Sequence, residues 1–173
     1  MTNETTSTPL PPDDPTRNLA HTNSETAEHL GIVGDTYTIL LSGSDTAGRY
    51  TLIDMYVPQG GGPGPHRHDF EETFTLLEGE LDVTFRGAKQ KIRAGETIHI
   101  PANAPHQFHN SSPTPARMFC ICAPAGQEEF FRQLGVIVST RTTPPPKLDE
   151  AAMTAFKQKA AAIAPKFRTE FVK

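Results

Sequence analysis

The chain has 173 residues, enough for one domain with its own core but not for a second catalytic domain. Its net charge is −4, with acids and bases interspersed and no basic block, so it offers no footprint for nucleic acid or an anionic lipid surface. Apolar runs such as Thr36 to Leu41 are far too short to cross a bilayer, and the polar start lacks the basic and apolar stretches of a signal peptide; no membrane contact and a cytoplasmic location are expected.

Residues 1–34 are rich in Thr, Pro, Asn and Asp, with few large apolar side chains to offset the entropy of ordering, and read as a flexible, partly disordered N-terminal arm. Thr22 and Glu25 stand at capping-box spacing and Gly31 could close a turn after Leu30, which predicts one short helix within the arm.

From residue 35 to 124 short apolar, β-branched runs alternate with Gly, Pro, Asn and Asp. The expected strands are Thr36 to Ser42, Tyr50 to Val57, Glu72 to Leu77, Glu80 to Phe85, Thr97 to Ile100, His106 to His109 and Arg117 to Cys122. Glu78-Gly79 reads as a tight hairpin turn. Strands at this pitch predict an all-β barrel or sandwich rather than a parallel sheet with crossover helices. Cys120 and Cys122, the only cysteines, share a strand face with Met118; they are badly placed to bridge each other and read as buried packing.

Residues 125–173 form a C-terminal helical extension. Gly126 to Leu134, closed by Gly135, carries Phe130, Phe131 and Leu134 on neighbouring faces and should pack against the barrel exterior. The stretch Thr142-Thr143-Pro144-Pro145-Pro146 is a stiff connector. Beyond it Asp149 can cap a helix with Met153, Phe156, Ala160 and Ile163 in one stripe before Pro165, a pattern of core packing or of a subunit contact.

Within the strand region one constellation carries chemistry. In extended chain, residues two apart share a face, so His66, His68 and Glu72 point the same way, and His106 joins them from a strand more distant in sequence. Neutral imidazoles with one carboxylate suit a divalent transition metal (Fe, Mn, Co, Ni, Cu or Zn) and leave coordination positions open. His99 precedes the Pro101 bend and has no settled facing, His109 falls on the opposite parity, and His21 and His29 lie in the arm; all four have weaker claims. Glu71 and Asp69 should point away. By parity Phe74, Leu76, Phe85 and Phe108 face inward and are the expected substrate-pocket lining.

The spacing is Gly60, five residues, His66, one, His68, three, Glu72, six, Gly79, then Gly95, five, Pro101, four, His106, three, Asn110. From Gly60 to Asn110 the chain resembles the two signature motifs of the cupin superfamily, small β-barrels that hold a metal inside. One position departs: Asn103 stands where the family usually has glycine, and asparagine tolerates the left-handed backbone of that corner. The resemblance implies a single cupin jelly-roll barrel (a double-stranded β-helix) and metal ligation by His66, His68, Glu72 and His106.

The run Leu76-Leu77-Glu78-Gly79-Glu80-Leu81, with Ala123-Pro124-Ala125-Gly126 leading to Glu128-Glu129-Phe130-Phe131, looks like bacterial quercetin-dioxygenase-like cupins. That resemblance implies a metal-dependent dioxygenase-like oxidoreductase acting on a flavonol-type or other enolizable small molecule, with Glu72 as ligand and general base, and a homodimer. A non-catalytic module that binds a small molecule through the metal, or a sugar isomerase, are the alternatives, because cupins share one site among many reactions. Without a helix-turn-helix pattern or basic surface, a DNA-binding regulator is disfavoured.

Overall fold

The computed structural model describes residues 9–172. Apolar-polar alternation resolves, among the described residues, into twelve strands: β1 (Glu28–Ile32), β2 (Asp35–Leu41), β3 (Thr51–Val57), β4 (His66–His68), β5 (Glu71–Glu78), β6 (Glu80–Phe85), β7 (Ala88–Arg93), β8 (Thr97–Ile100), β9 (His106–His109), β10 (Ala116–Ala123), β11 (Val136–Ile137) and β12 (Thr169–Phe171). They form two antiparallel sheets, one ordered β11-β1-β2-β3-β10-β5-β8 and the other β12-β4-β9-β6-β7. The apolar faces of both sheets meet in one cluster that includes Ile53, Met55, Phe74, Leu76, Leu81, Val83, Phe108 and Met118. This is the expected all-β jelly-roll. Its helices are few: the single turn α1 (Gly43–Thr46), then α2 (Gln127–Leu134) and α3 (Glu150–Ile163), followed by a 3₁₀ turn at Ala164–Phe167.

The helix expected between Thr22 and Leu30 is not there, because β1 occupies Glu28–Ile32 and pairs with β2 from Glu28↔Ile39 to Ile32↔Asp35. Pairing satisfies the backbone polar groups that a helix would have satisfied internally, and it buries His29 and Leu30. Thr22 does not cap; its hydroxyl donates to the Leu40 carbonyl at 2.5 Å. The sheet therefore starts seven residues before the Asp35 boundary expected for the barrel.

Glu78-Gly79 also differs from expectation. It joins β5 and β6, which lie in different sheets, so it is a corner and not a hairpin. Gly79 has φ +75°, and a Cβ there would lie 2.7 Å from the Pro115 carbonyl oxygen, so only glycine fits the corner. The hairpin comes one strand later: Arg86 and Gly87, both at positive φ, turn β6 into β7 with Phe85 opposite Ala88. The polar strand β7 buries only Ile92, which is why it carries no apolar alternation in the sequence.

The C-terminal extension is not wholly helical. Asp149 caps α3 as expected, accepting from the Ala152 amide at 2.8 Å. After the 3₁₀ turn the chain returns to the barrel as β12, which pairs with β4 through Thr169↔His68 and Phe171↔His66. Helix α2 rests on the barrel end, where the Phe131 ring meets Tyr37 edge-on at 4.9 Å and Phe130 packs on Phe167 at 5.6 Å. Glu128 of α2 is buried; it accepts from the Gly43 amide at 2.7 Å and from the Thr51 hydroxyl, tying the helix to α1 and β3.

Candidate metal centre

Strand β4 is three residues long and extended, so His66 and His68 share its inner face while Arg67 points out and pairs with Glu170 of β12. In the same sheet β9 runs beside β4 with His106 directly opposite His66, and the two rings lie 4.3 Å apart. Glu72 enters from β5 in the facing sheet. All four side chains are at most 9 % exposed, and one ligand atom from each lies within 4.8 Å of the others.

Backbone corners set this convergence. Gly62 has φ +115°, and a Cβ there would sit 2.2 Å from the Phe108 carbonyl oxygen, so the loop before His66 can lie against β9 only with glycine at this position. Asn103 does adopt the left-handed conformation, with φ +67°, and its amide donates to the His68 carbonyl at 2.6 Å. Asn110 is fully buried; its side-chain amide donates to the Val57 and Thr114 carbonyls, and its backbone exchanges two hydrogen bonds with Gly60 and Gly61.

The orientation of the imidazoles is the most informative feature. Nδ1 of His66, His68 and His106 lies 2.9 Å from the carbonyls of Gly64, Phe70 and Ala104 respectively. A carbonyl can only accept, so each Nδ1 carries the proton and each Nε2 presents a lone pair. Yet Nε2 of His68 and of His106 stand 3.1 and 3.0 Å from Glu72 Oε2, which is itself an acceptor. Lone pairs facing a carboxylate repel unless a cation lies between them, either a proton or a metal ion. Three nitrogen donors and one carboxylate oxygen, with tautomers fixed from behind, fit a divalent transition ion.

Electrostatics agree with that reading. Burial acts to raise the Glu72 pKa, but the contacts with His106 and His68, each of which needs a cation at Nε2, outweigh it and hold the carboxyl well below the usual range. Burial, then the neighbouring His106, depresses His66 to about 4, so this ring is neutral at neutral pH. For His106 burial works downward, and the contact with Glu72 reverses it to a net increase.

Behind the carboxylate stand the two cysteines. Sγ of Cys120 and of Cys122 lie 3.3 and 3.8 Å from Glu72 Oε1 and 3.6 Å from each other. Burial foremost pushes the Cys120 thiol up; for Cys122 the Cys120 contact pulls down, and burial with the Glu72 charge prevails upward. Both are buried, as the sequence predicts, but packing alone does not describe thiols that hold a carboxylate oxygen. The signal was present as parity, since Cys122 pairs in register with Glu72 across β10 and β5.

Phe74 and Phe108 stand two residues beyond Glu72 and His106 on the same buried faces of their strands. Phe74, Leu76 and Phe108 are buried in the core cluster, where the Phe74 and Phe108 rings meet edge-on at 5.5 Å. Phe85 is half-buried beneath the Arg86 guanidinium. His99 faces outward and pairs with Glu71 at 2.9 Å, and Asp69 pairs with Arg168 at 2.6 Å, so both carboxylates point away as expected. His109 and His21 are exposed, and buried His29 is bonded to Thr38.

Residues 53–122 match the family model of the cupin domain. The chain is 29 % identical over 100 residues to quercetin 2,3-dioxygenase of Bacillus subtilis (strain 168), a match covering 57 % of this chain and 29 % of that protein, so the chain spans under a third of that relative's length. Among solved structures it is similar to an RmlC-like cupin from Shewanella frigidimarina NCIMB 400, with TM-score 0.56 and 18 % identity over 65 % of this chain and 96 % of the other. It is likewise similar to the polyketide cyclase RemF from Streptomyces resistomycificus, with TM-score 0.56 and 19 % identity over 83 % and 96 % of the two chains. At these identities the likenesses show the fold. The cupin-domain match at residues 53–122 runs through the histidine-glutamate segments, and the two-sheet jelly-roll that carries them is the fold shared with these solved cupins.

Proposed function

We propose that this protein is a metal-dependent enzyme of the quercetin 2,3-dioxygenase kind, acting on a flavonol-type or other enolizable small molecule. The observation that carries the reading is the set of three inward lone pairs facing one buried carboxylate. The similarity to the Bacillus subtilis dioxygenase supports the reaction class. His66, His68, Glu72 and His106 would hold the ion, which supplies Lewis acidity toward a substrate oxygen.

The chain's own residues do the rest. The Gly64, Phe70 and Ala104 carbonyls fix the rings, and burial of all four side chains keeps bulk water from them. Glu72 is ionised at neutral pH and is the acceptor for a substrate hydroxyl proton. Its basicity stays low while both Nε2 contacts persist, so accepting a proton requires one of them to lengthen.

The test is oxygen uptake with quercetin and with simple 1,3-diketones, on protein loaded in turn with Fe, Mn, Co, Ni, Cu and Zn. Uptake with at least one ion, abolished in Glu72→Gln while metal is retained, is the expected result. No uptake in any loaded form removes the dioxygenase reading; a substrate-dependent change in the Co(II) spectrum without turnover would replace it with a non-catalytic binding role.

A further inference from the structure

Glu72 presents its two carboxylate oxygens to two different sets of donors. Oε2 faces the imidazoles of His68 and His106, while Oε1 closes a triangle with Cys120 Sγ and Cys122 Sγ whose sides are 3.3, 3.8 and 3.6 Å. The point equidistant from these three atoms lies about 2.1 Å from each, and metal ions sit about 2.3 Å from thiolate sulfur and about 2.0–2.2 Å from carboxylate oxygen. An ion therefore fits between them with little movement of any one. A disulfide does not, since it needs the sulfurs at about 2.0 Å.

The two donor sets call for different ions. Thiolates select soft ions such as Cu(I), whereas imidazole and carboxylate suit harder divalent ones. Charge balance agrees: two thiolates and one carboxylate are neutralised in full by a divalent ion at the histidines plus a monovalent ion at the sulfurs, whereas a second divalent ion leaves a buried net charge. Burial does not bar entry. The side chains of His68 and His106 are as closed as the thiols, at 1 % exposed, and an ion that reaches Glu72 from the histidine side has reached the carboxylate that faces the sulfurs.

We propose that Cys120, Cys122 and Glu72 Oε1 form a second metal site, for a soft monovalent ion of the Cu(I) class, joined through Glu72 to the divalent ion of the histidines. It rests on the divalent-ion reading for its charge balance. On binding, Cu(I) takes the place of the two thiol protons, which leave to solvent, and no electron is transferred. Without the soft ion both thiols keep their protons and donate to Glu72, so the first divalent ion goes to the nitrogens, whose lone pairs already point inward.

The test is anaerobic titration of the Zn(II)-loaded full chain with Cu(I) against bicinchoninate, read at the copper and zinc X-ray absorption edges separately. The expected result is one Cu(I) per chain, with sulfur and oxygen neighbours at the copper edge, nitrogen and oxygen alone at the zinc edge, and zinc retained. Cys122→Ser should weaken Cu(I) binding by at least about 100-fold and leave Zn(II) in place. Because Cys122→Ser could fail to fold, the copper edge of the unaltered chain decides by itself. No Cu(I) uptake, uptake with release of zinc, copper held by nitrogen, or undiminished uptake by folded Cys122→Ser overturns the proposal and leaves the divalent-ion reading standing. Sulfur at the zinc edge before copper is added would overturn both.

Discussion

Cys120 Sγ lies 3.3 Å from Glu72 Oε1, while the other oxygen of that carboxylate faces His68 and His106. Buried thiols kept protonated are donors, so they fix the plane in which Glu72 presents Oε2 to the histidines. Partners behind a ligand are commonly worth about 10- to 100-fold in metal affinity. Cys120→Val, similar in volume but with no donor, should therefore weaken Zn(II) binding by about tenfold in a competition titration, with the far-UV spectrum unchanged. Unaltered affinity would reduce Cys120 to packing.

His106 reaches the site only through the pairing of β9 with β4, where it sits opposite His66. Its replacement removes a nitrogen donor and leaves Glu72 Oε2 with one imidazole instead of two. His106→Ala should lower divalent-metal affinity by at least about 100-fold, as loss of one of four ligands generally does. Stoichiometric tight uptake by this variant would take His106 off the ligand set.

Two glycines at similar φ separate backbone strain from steric blockage. Gly87 has φ +83° and open space where a Cβ would go, whereas Gly79 has φ +75° and the Pro115 carbonyl in that place. Gly87→Ala should cost about 1 kcal/mol from the left-handed conformation alone, and Gly79→Ala should cost more, on the order of 3 kcal/mol. Urea unfolding of the two variants checks the order, and equal losses would contradict the corner geometry.

The same corner shows how far the sequence could be read. His66, His68, Glu72 and His106 were legible because ligand spacing and corner glycines constrain each other, and Asn103 kept its left-handed corner without the glycine. Strands β7, β11 and β12 were not legible. β7 is polar because all its residues except Ile92 meet solvent, and the other two are too short for any periodicity to show. Glu28–Ile32 looked like the end of a helix because capping spacing is local, while its partner β2 is recruited through the Val33-Gly34 turn at positive φ. Asp35 gave no signal at all, since an acid at a strand start reads as solvent-facing until the fold covers it.

Asp35 makes a prediction of definite sign. Its folded pKa, near 7, lies above the ordinary 3.8, so between these values the unfolded chain has lost the proton that the folded chain keeps. Stability from this group is therefore full at low pH and falls as pH rises toward 7. Asp35→Asn cannot ionise, so its stability relative to the parent should rise between pH 5 and pH 8, by up to roughly 3 kcal/mol for about two pKa units. Parallel stability curves for the two proteins across this range would show that Asp35 is not held protonated.

The central claim is that one cation is shared by His66, His68, Glu72 and His106. X-ray absorption on protein loaded with one equivalent of Co(II) or Zn(II) tests it most directly. The expected result is one tightly bound ion per chain, coordinated by nitrogen and oxygen alone, with imidazole scattering lost stepwise in the single histidine variants. No stoichiometric uptake, or sulfur in the coordination shell from the neighbouring Glu72, Cys120 and Cys122 group, would contradict it.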